Sequence, residues 1–513
     1  VQIKNNPYDF DAWIQYLNNM EIQHKNDAKF CKKEYEKFLR VFPQCYGYWL
    51  KMATCETDRD AVVSIFEKAT KKCTSIELWR EYILYIQDNV VDVDVIRKTF
   101  ENAIESIGTL YTSSVIWKLY YQFEENTAKS EANNDTHYNE ENTKILLKLL
   151  RKVLTYSIHP DALDHFWRNL EDVVQKSPIE FCFLNDEEKQ MFNETHKGND
   201  VLPEDKVKEI VGWSKTAYER ALDLSHRITH FESELMRDFY HPRDLHQKDL
   251  HTWRTYVVFR EKTQDDLAIR QLYERILSVC ENYMEFYLRY IRYLEKQNLI
   301  EEAREIYKRA VDTVHGTRPY IYLSFGLFEE KYGKVEDAEV HYKKALEMTN
   351  YAHIETIITY TNFLKRHERS VQEFMDAHKH SFKNQGGYLA TFLINQKPVE
   401  EREALFKTAI KEYLEDLTIR LAYIDFVNVS EPSKLLEAFE FCLEDHKLNT
   451  NDARIFYRRY RDVAFQTSLD KGLKISQILV ENFVEDGIVK QQMDVVASRK
   501  RRADQSLDRP EPS

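Results

Sequence analysis

The sequence predicts an all-α solenoid of paired-helix repeats. Three observations carry that reading: scarce turn residues, a helical apolar frame that recurs at a near-constant spacing, and an aromatic pair opening the helix before each frame. Only 11 Gly and 11 Pro occur among 513 residues, less than half the average usage of roughly 7% and 5%. Sheets need frequent turns, and turns draw on those residues. With 31% of residues charged, the composition favours long helices joined by short polar connections.

The frame places apolar or small residues at i, i+3, i+4 and i+7, which is one face of a helix. It reads Val62, Ile65, Phe66, Ala69, and again Ile96, Thr99, Phe100, Ala103. In the second half it reads Ile269, Leu272, Tyr273, Ile276, then Ala303, Ile306, Tyr307, Ala310, then Ala338, His341, Tyr342, Ala345. Weaker copies begin at Val371, Arg402 and Leu435. Within the first series the starts are 34 residues apart; within the second they are 34, 35, 33, 31 and 33 apart. A steady period near that length marks stacked helix pairs.

The preceding helix opens on a wide aromatic with a second one three residues on. Trp13 with Tyr16, Trp79 with Tyr82, Trp117 with Tyr120, Trp253 with Tyr256, and Tyr287 with Tyr290 follow this rule, and Trp49 belongs to the series. An acid often ends that stretch, as in Phe123-Glu124 and Phe328-Glu329. The frame helix often carries a (Y/F)-(E/K)-(R/K)-A run, as in Phe66-Glu67-Lys68-Ala69, Tyr218-Glu219-Arg220-Ala221 and Tyr307-Lys308-Arg309-Ala310. A wide ring fills the space between two helices, and a small Ala lets the next repeat approach. The pattern resembles the half-a-tetratricopeptide, or HAT, repeat. Tetratricopeptide repeats proper use W-x2-L-G-x2-Y, and neither Trp79-Arg80-Glu81-Tyr82 nor Trp253-Arg254-Thr255-Tyr256 carries the Leu-Gly pair. The expected fold is therefore an all-α HAT-repeat α-solenoid with two arms.

The array is interrupted between residues 96 and 269. Residues 126–141, with Asn133-Asn134-Asp135, read as an exposed loop, and residues 177–206, with Pro178, Gly198 and Pro203, as a second insertion. Helix signals resume at Val207, and an amphipathic stretch from about Leu222 to Phe239 leads to His241-Pro242. The expected organisation is an N-terminal arm over 1–240, a C-terminal arm over 241–488, to which the HAT resemblance assigns dimerisation, and a basic, disordered tail over 489–513. The start, Val1-Gln2-Ile3-Lys4, does not read as a signal peptide and lacks an initiator Met, as a trimmed chain would.

Charge and chemistry narrow the function. A net charge of -13 does not by itself attract phosphate backbones. Seven cysteines without a CxxC pair argue against a disulfide framework and for a reducing compartment. No apolar run reaches the ~18 residues of a membrane span. GxxxxGK[ST], HExxH and GxSxG are absent, so no enzyme and no cofactor is expected. Gly386-Gly387 reads as a turn, not a phosphate cradle. His241, His246 and His251 are spaced by five residues, which scatters them around a helix, so no metal site is expected. Glu301-Glu302 and Glu400-Glu401 point in different directions on a helix and read as solvated faces. The aromatic stripe shares its face with Ile, Leu and Ala and reads as core, not as a base-stacking platform. Arg499-Lys500-Arg501-Arg502 fits a nuclear import signal or an RNA contact, and equally a solvated tail. Arg454, Arg458, Arg459 and Arg461 form a second basic group on a predicted helix, as a partner surface or a helix flank.

Within the HAT class, three segments resemble the family of pre-mRNA-processing factor thirty-nine. They are Asn6-Pro7-Tyr8-Asp9-Phe10-Asp11-Ala12-Trp13, Phe42-Pro43-Gln44-Cys45-Tyr46-Gly47-Tyr48-Trp49, and Tyr240-His241-Pro242 followed by Leu250 and Trp253. The resemblance covers most of residues 5–350. Arg260 departs from it, standing where an acid is usual. The resemblance implies a nuclear, non-catalytic scaffold of the U1 small nuclear ribonucleoprotein (snRNP) that supports 5′ splice site recognition and early spliceosome assembly. It implies U1 snRNP proteins as partners, and a dimer with itself or with a paralogous HAT protein. RNA contact is then indirect or weak, with neither membrane nor small-molecule substrate. The dimer contact is placed on the last repeats near Leu421, Tyr423, Phe426, Phe439 and Phe456, rings that equally serve as core. Two rival readings are a HAT scaffold of mRNA 3′-end processing and a direct RNA-binding protein using the basic tail.

Overall fold

The computed structural model describes residues 3, 6–24, 27–130, 140–176, 194, 203–378, 386–444 and 446–483. Among the described residues there are 24 α-helices and no strand. The chain divides into two compact units, Val1–Gly316 and Thr317–Ser513.

The first unit opens with three helix pairs: α1 (Phe10–Gln23) with α2 (Ala28–Val41), α3 (Tyr46–Thr54) with α4 (Arg59–Lys72), and α5 (Ile76–Asn89) with α6 (Val93–Ile107). Then come α7 (Ser114–Ser130), α8 (Glu140–Val153), α9 (Pro160–Lys176) and the 32-residue α10 (Pro203–Glu234). An irregular connector over 235–246 leads to α11 (Gln247–Glu261), α12 (Asp266–Val279), α13 (Met284–Lys296) and α14 (Ile300–Asp312). The join expected near residue 240 thus falls on a connector inside the first unit. The second unit holds α15 (Pro319–Tyr332), α16 (Val335–Met348), α17 (Ile354–Arg366), α18 (Val371–His378) and α19 (Gly386–Ile394). It continues with α20 (Val399–Glu412), α21 (Leu417–Ser430), α22 (Leu435–Leu443), α23 (Thr450–Thr467) and α24 (Leu469–Asn482).

The repeat frame is the buried face. Val62, Ile65, Phe66 and Ala69 are buried, as are all four members of the frames at Ile96, Ile269 and Ala303. The small fourth member does what its size allows: Ala69, Ala103, Ala310 and Ala345 are fully shielded where helices approach closely. The third member is an aromatic that stacks on the second aromatic of the next helix. Phe66 lies 5.0 Å from Tyr82, Phe100 4.5 Å from Tyr120, Tyr273 4.6 Å from Tyr290, and Phe439 4.9 Å from Tyr460, all nearly parallel. Each such pair adds about 1 kcal/mol beyond its buried area, so one repeated contact ties each of these four repeats to its successor.

Helix starts and turns are written locally. Asp9, Asp27, Asp58 and Asp265 each accept a hydrogen bond from a backbone N–H three residues on, at 3.0, 3.0, 2.9 and 3.2 Å. Such a cap stabilises its helix by about 1 kcal/mol. The tight turn inside a repeat needs one left-handed residue, supplied by Gln264 (φ 57°), Asn298 (φ 61°) and Glu368 (φ 55°). Opening tryptophans are anchored as well. The indole N–H of Trp13 donates to the Pro7 carbonyl at 2.9 Å and that of Trp49 to the Pro43 carbonyl at 2.8 Å. The two segments similar in sequence are therefore one device used twice.

Three expectations are corrected or bounded. Gly386-Gly387 is not a turn; it opens α19, where both residues are buried, and the Gly387 N–H donates to Asp416 at 2.9 Å. A Cβ on Gly386 would collide with the Tyr413 ring, so the residue is small for packing. The loop expected over 126–141 is helical at both edges, since α7 runs to Ser130 and α8 starts at Glu140. Residues 131–139, most of the 177–206 insertion and the whole of 489–513 lie outside the described residues.

Candidate interaction site

Helix α12 is buried on nearly every side. Its frame residues Ile269, Leu272, Tyr273 and Ile276 pack within their own repeat, yet Gln271, Arg275 and Ser278 on another face are buried too. Each of these three polar residues meets a partner far away in sequence. The Gln271 carboxamide oxygen accepts from Thr109 N at 2.7 Å and from its hydroxyl at 2.8 Å, while its nitrogen donates to the carbonyls of Ile104 at 2.9 Å and Glu105 at 2.6 Å. The Ser278 hydroxyl donates to Gln44 Oε1 at 2.8 Å and accepts from Thr74 N at 3.3 Å. Arg275 forks onto Glu232 at 2.6 and 3.0 Å, and Tyr256 donates to the same carboxylate at 3.0 Å. Burial opposes the Arg275 charge, but Glu232 outweighs it and holds the guanidinium above its ordinary value. The result joins the first repeats and α12 into one body.

The connector is fixed by the same region. Asn282 donates to the Pro242 carbonyl at 2.6 Å, and Leu245 N donates to the Tyr283 hydroxyl at 2.8 Å. The His241 ring packs 5.2 Å from Phe10. His246 caps α11 by accepting from Lys248 N at 3.2 Å. Two of the three evenly spaced histidines thus have structural tasks.

A second device recurs in both units: an acid on one helix receives a tyrosine from the next helix and a base from the one after. Glu21 accepts from Tyr35 at 2.8 Å and Lys51 at 2.7 Å. Glu261 accepts from Tyr273, and from Arg289 at 3.2 and 2.6 Å. Glu330 accepts from Tyr342 at 2.8 Å and from Arg366 at 2.6 and 2.7 Å. Burial alone would raise the Glu261 carboxyl; the Arg289 fork and the Tyr273 hydroxyl outweigh it and hold it below the usual carboxylate range. Sequence reading missed these triads, although the acid ending one helix and the tyrosine of the next frame were both visible.

Beside the second triad lies an open concavity of the first unit. It has a volume of about 900 Å³ and lies between the α11–α12 turn and the outer face of α13, with Leu288, Arg292 and Lys296 along one wall. Its acids are engaged. Glu261 is held by Arg289, Asp266 accepts from Tyr293 at 2.7 Å, and Glu285 accepts from Arg254 at 2.9 and 2.6 Å.

The residues expected at a dimer contact lie in the second unit. Tyr423, Phe439 and Phe456 are buried in its core, and Leu421 and Phe426 are half-buried against that core. Arg499, Lys500, Arg501 and Arg502 lie outside the described residues. Of the second basic group, Arg459 pairs with Asp425, and Arg461 with Asp462 at 2.9 Å. Glu301 pairs with Arg304 and Glu302 with Arg270, both at 2.5 Å, as helix-surface acids do. Burial pushes the Cys73 and Cys442 thiols up to about 12, so neither is a thiolate near neutrality. Among the described residues no group of three or more His, Cys, Asp or Glu is placed to hold a metal ion, and no helix is long and apolar enough to cross a membrane.

Two family models match the chain in order. One describes the PRP39 N-terminal HAT repeat and matches residues 1–169; the other describes the PRP39 C-terminal HAT repeat and matches residues 226–366. The chain belongs to the PRP39 family of HAT-repeat proteins. The second PRP39 model begins inside α10 and ends at the last residue of α17. Pre-mRNA-processing factor 39 of Xenopus laevis is 27% identical over 360 residues, covering 64% of this chain and 53% of that protein. Pre-mRNA-processing factor 39 of Homo sapiens is 25% identical over 368 residues, covering 64% of this chain and 52% of that protein. The chain therefore spans about half the length of these PRP39 relatives. The crystal structure of CSTF-77 aligns over 92% of this chain and 91% of that chain, with a TM-score of 0.49 and 12% identity.

Proposed function

We propose that this chain is a non-catalytic scaffold of pre-mRNA splicing that acts in the nucleus within the U1 snRNP. In this reading it supports 5′ splice site recognition and early spliceosome assembly through protein contacts. The observation that carries the reading is the ordered match of both PRP39 repeat models to residues 1–169 and 226–366, joined to relatives named for pre-mRNA processing. The fold supports it physically. Stacked repeats offer long contact surfaces, while many of the aromatic and charged side chains are engaged in helix packing.

The test is depletion of the protein from a splicing extract followed by add-back of the purified chain. The expected result is loss of the earliest 5′ splice site complex and its recovery on add-back. Normal splicing with impaired 3′-end cleavage would overturn the proposal in favour of a 3′-end processing scaffold.

Pairing with a second copy, or with a paralogous HAT protein, belongs to the same reading. It runs through the second unit near Leu421 and Phe426, whose half-buried apolar side chains suit a contact supported from beneath by Tyr423, Phe439 and Phe456. Light scattering over a dilution series should give twice the chain mass, and Leu421→Glu should shift it to the monomer with helicity unchanged. A monomer mass at every concentration would rule out self-pairing and leave the paralogous partner.

A further inference from the structure

We propose that the groove on the outer face of α13 binds an extended acidic peptide segment of a partner protein, with Leu288, Arg292 and Lys296 reading an apolar residue and two carboxylates at alternate positions. The inference concerns this groove alone and is independent of which assembly the chain serves.

Arg292 and Lys296 are exposed and make no hydrogen bond or ion pair among the described residues, although the Lys296 charge helps to hold the nearby Glu261 carboxyl down. The groove's three acids have donors of their own. Arg289 grips Glu261, Arg254 grips Glu285, and Asp266 receives the Tyr293 hydroxyl with Arg270 at 3.7 Å. The concavity of about 900 Å³, within the size range of ligand clefts, roughly 300–1,000 Å³, thus presents two cations that no acid pairs with.

Leu288, Arg292 and Lys296 succeed one another at four-residue steps on α13, so their side chains stand about 6 Å apart in one row. Alternate side chains of an extended peptide stand about 7 Å apart on one face. A segment of the form apolar-x-acid-x-acid therefore matches the row residue for residue. Half-buried Leu288 takes the apolar side chain, and the two bases take the carboxylates. A guanidinium and an ammonium each form charge-assisted bonds to carboxylates.

A nucleic acid backbone brings a continuous line of phosphates. This groove carries Glu261, Asp266 and Glu285 on its walls, and the chain has a net charge of -13. Two isolated carboxylates can meet the two exposed cations and avoid those acids, whereas a polyphosphate cannot.

The experiment uses the full chain and a fluorescein-labelled peptide, Ser-Leu-Ser-Glu-Ser-Glu-Ser, read by anisotropy. The same peptide with Gln in place of Glu serves as control. The expected result is saturable binding of the acidic peptide and at least tenfold weaker binding of the Gln peptide. Charge reversal by Arg292→Glu with Lys296→Glu should weaken binding at least tenfold. The equal charge change on exposed residues of α4, Lys68→Glu with Lys71→Glu, should leave it unchanged. Both pairs are on the surface, and circular dichroism checks that each variant is folded. Equal weakening by the two pairs would overturn the proposal as unspecific charge attraction. Absence of peptide binding would overturn it outright. Groove-dependent binding of an oligouridine with no binding of the peptide would overturn it in favour of RNA.

Discussion

Glu281 is a carboxyl group sealed into the first unit, only 5% exposed, with the Tyr240 hydroxyl as its hydrogen-bond donor and the His315 ring 2.7 Å from its backbone carbonyl. Burial pushes its pKa from 4.5 up to about 7, against the lowering effect of Tyr240 and Arg309. The folded state therefore holds a proton that the unfolded state has released between those two values. Stability falls as pH rises through that window and is flat above it, with a cost of about 3 kcal/mol at most. Glu281→Gln keeps an acceptor for Tyr240 and removes the ionisation. It should raise the melting temperature of the first unit at pH above 7 and change it little below pH 4.5, as followed by thermal denaturation across pH. Arg420 shows another way to bury a charge. It is fully shielded, its guanidinium is lowered by burial, and it donates to the carbonyls of Cys442, Tyr413, Asp416 and Leu414 at 3.1, 3.1, 2.6 and 2.9 Å. Neither residue stood out in the sequence, because a single charged letter on a helix reads as surface.

Helix α12 links residue chemistry to architecture. Its frame face was legible from the period, because apolar residues at helical spacing have no stable place except a buried face. Its second face was not legible. Gln271, Arg275 and Ser278 have the composition of a solvated stripe, and their partners Thr109, Glu232 and Gln44 are remote in sequence. Only folding brings them together. Gln271→Ala removes three buried hydrogen bonds and one part-buried one, and leaves Thr109 N and two carbonyls without that partner. Since an orphaned buried polar group costs about 1–3 kcal/mol, the substitution should destabilise the first unit by about 3 kcal/mol. All seven tryptophans lie in the first unit, so tryptophan fluorescence during urea unfolding reports on it. An unchanged midpoint would mean that the seam does not contribute to stability. The stacked pairs such as Phe100 with Tyr120 were half legible: both rings were assigned to the core, but their contact across repeats depends on the helix angle, which spacing does not encode.

At the scale of the whole molecule, the repeat period and the helix pairing were readable because each is written in local pattern. The groove on α13 was not readable, since its two exposed cations without an ion pair differ from paired ones only through partners on other helices. The account as a whole holds that this chain works by protein contact. One measurement tests that most directly: binding of the purified chain to U1 snRNP proteins free of RNA, and to U1 RNA free of protein, each over a range of salt. The account predicts saturable binding to the proteins and weak binding to the RNA. Tight RNA binding that falls steeply and linearly with the logarithm of salt, with no binding to the proteins, would contradict it.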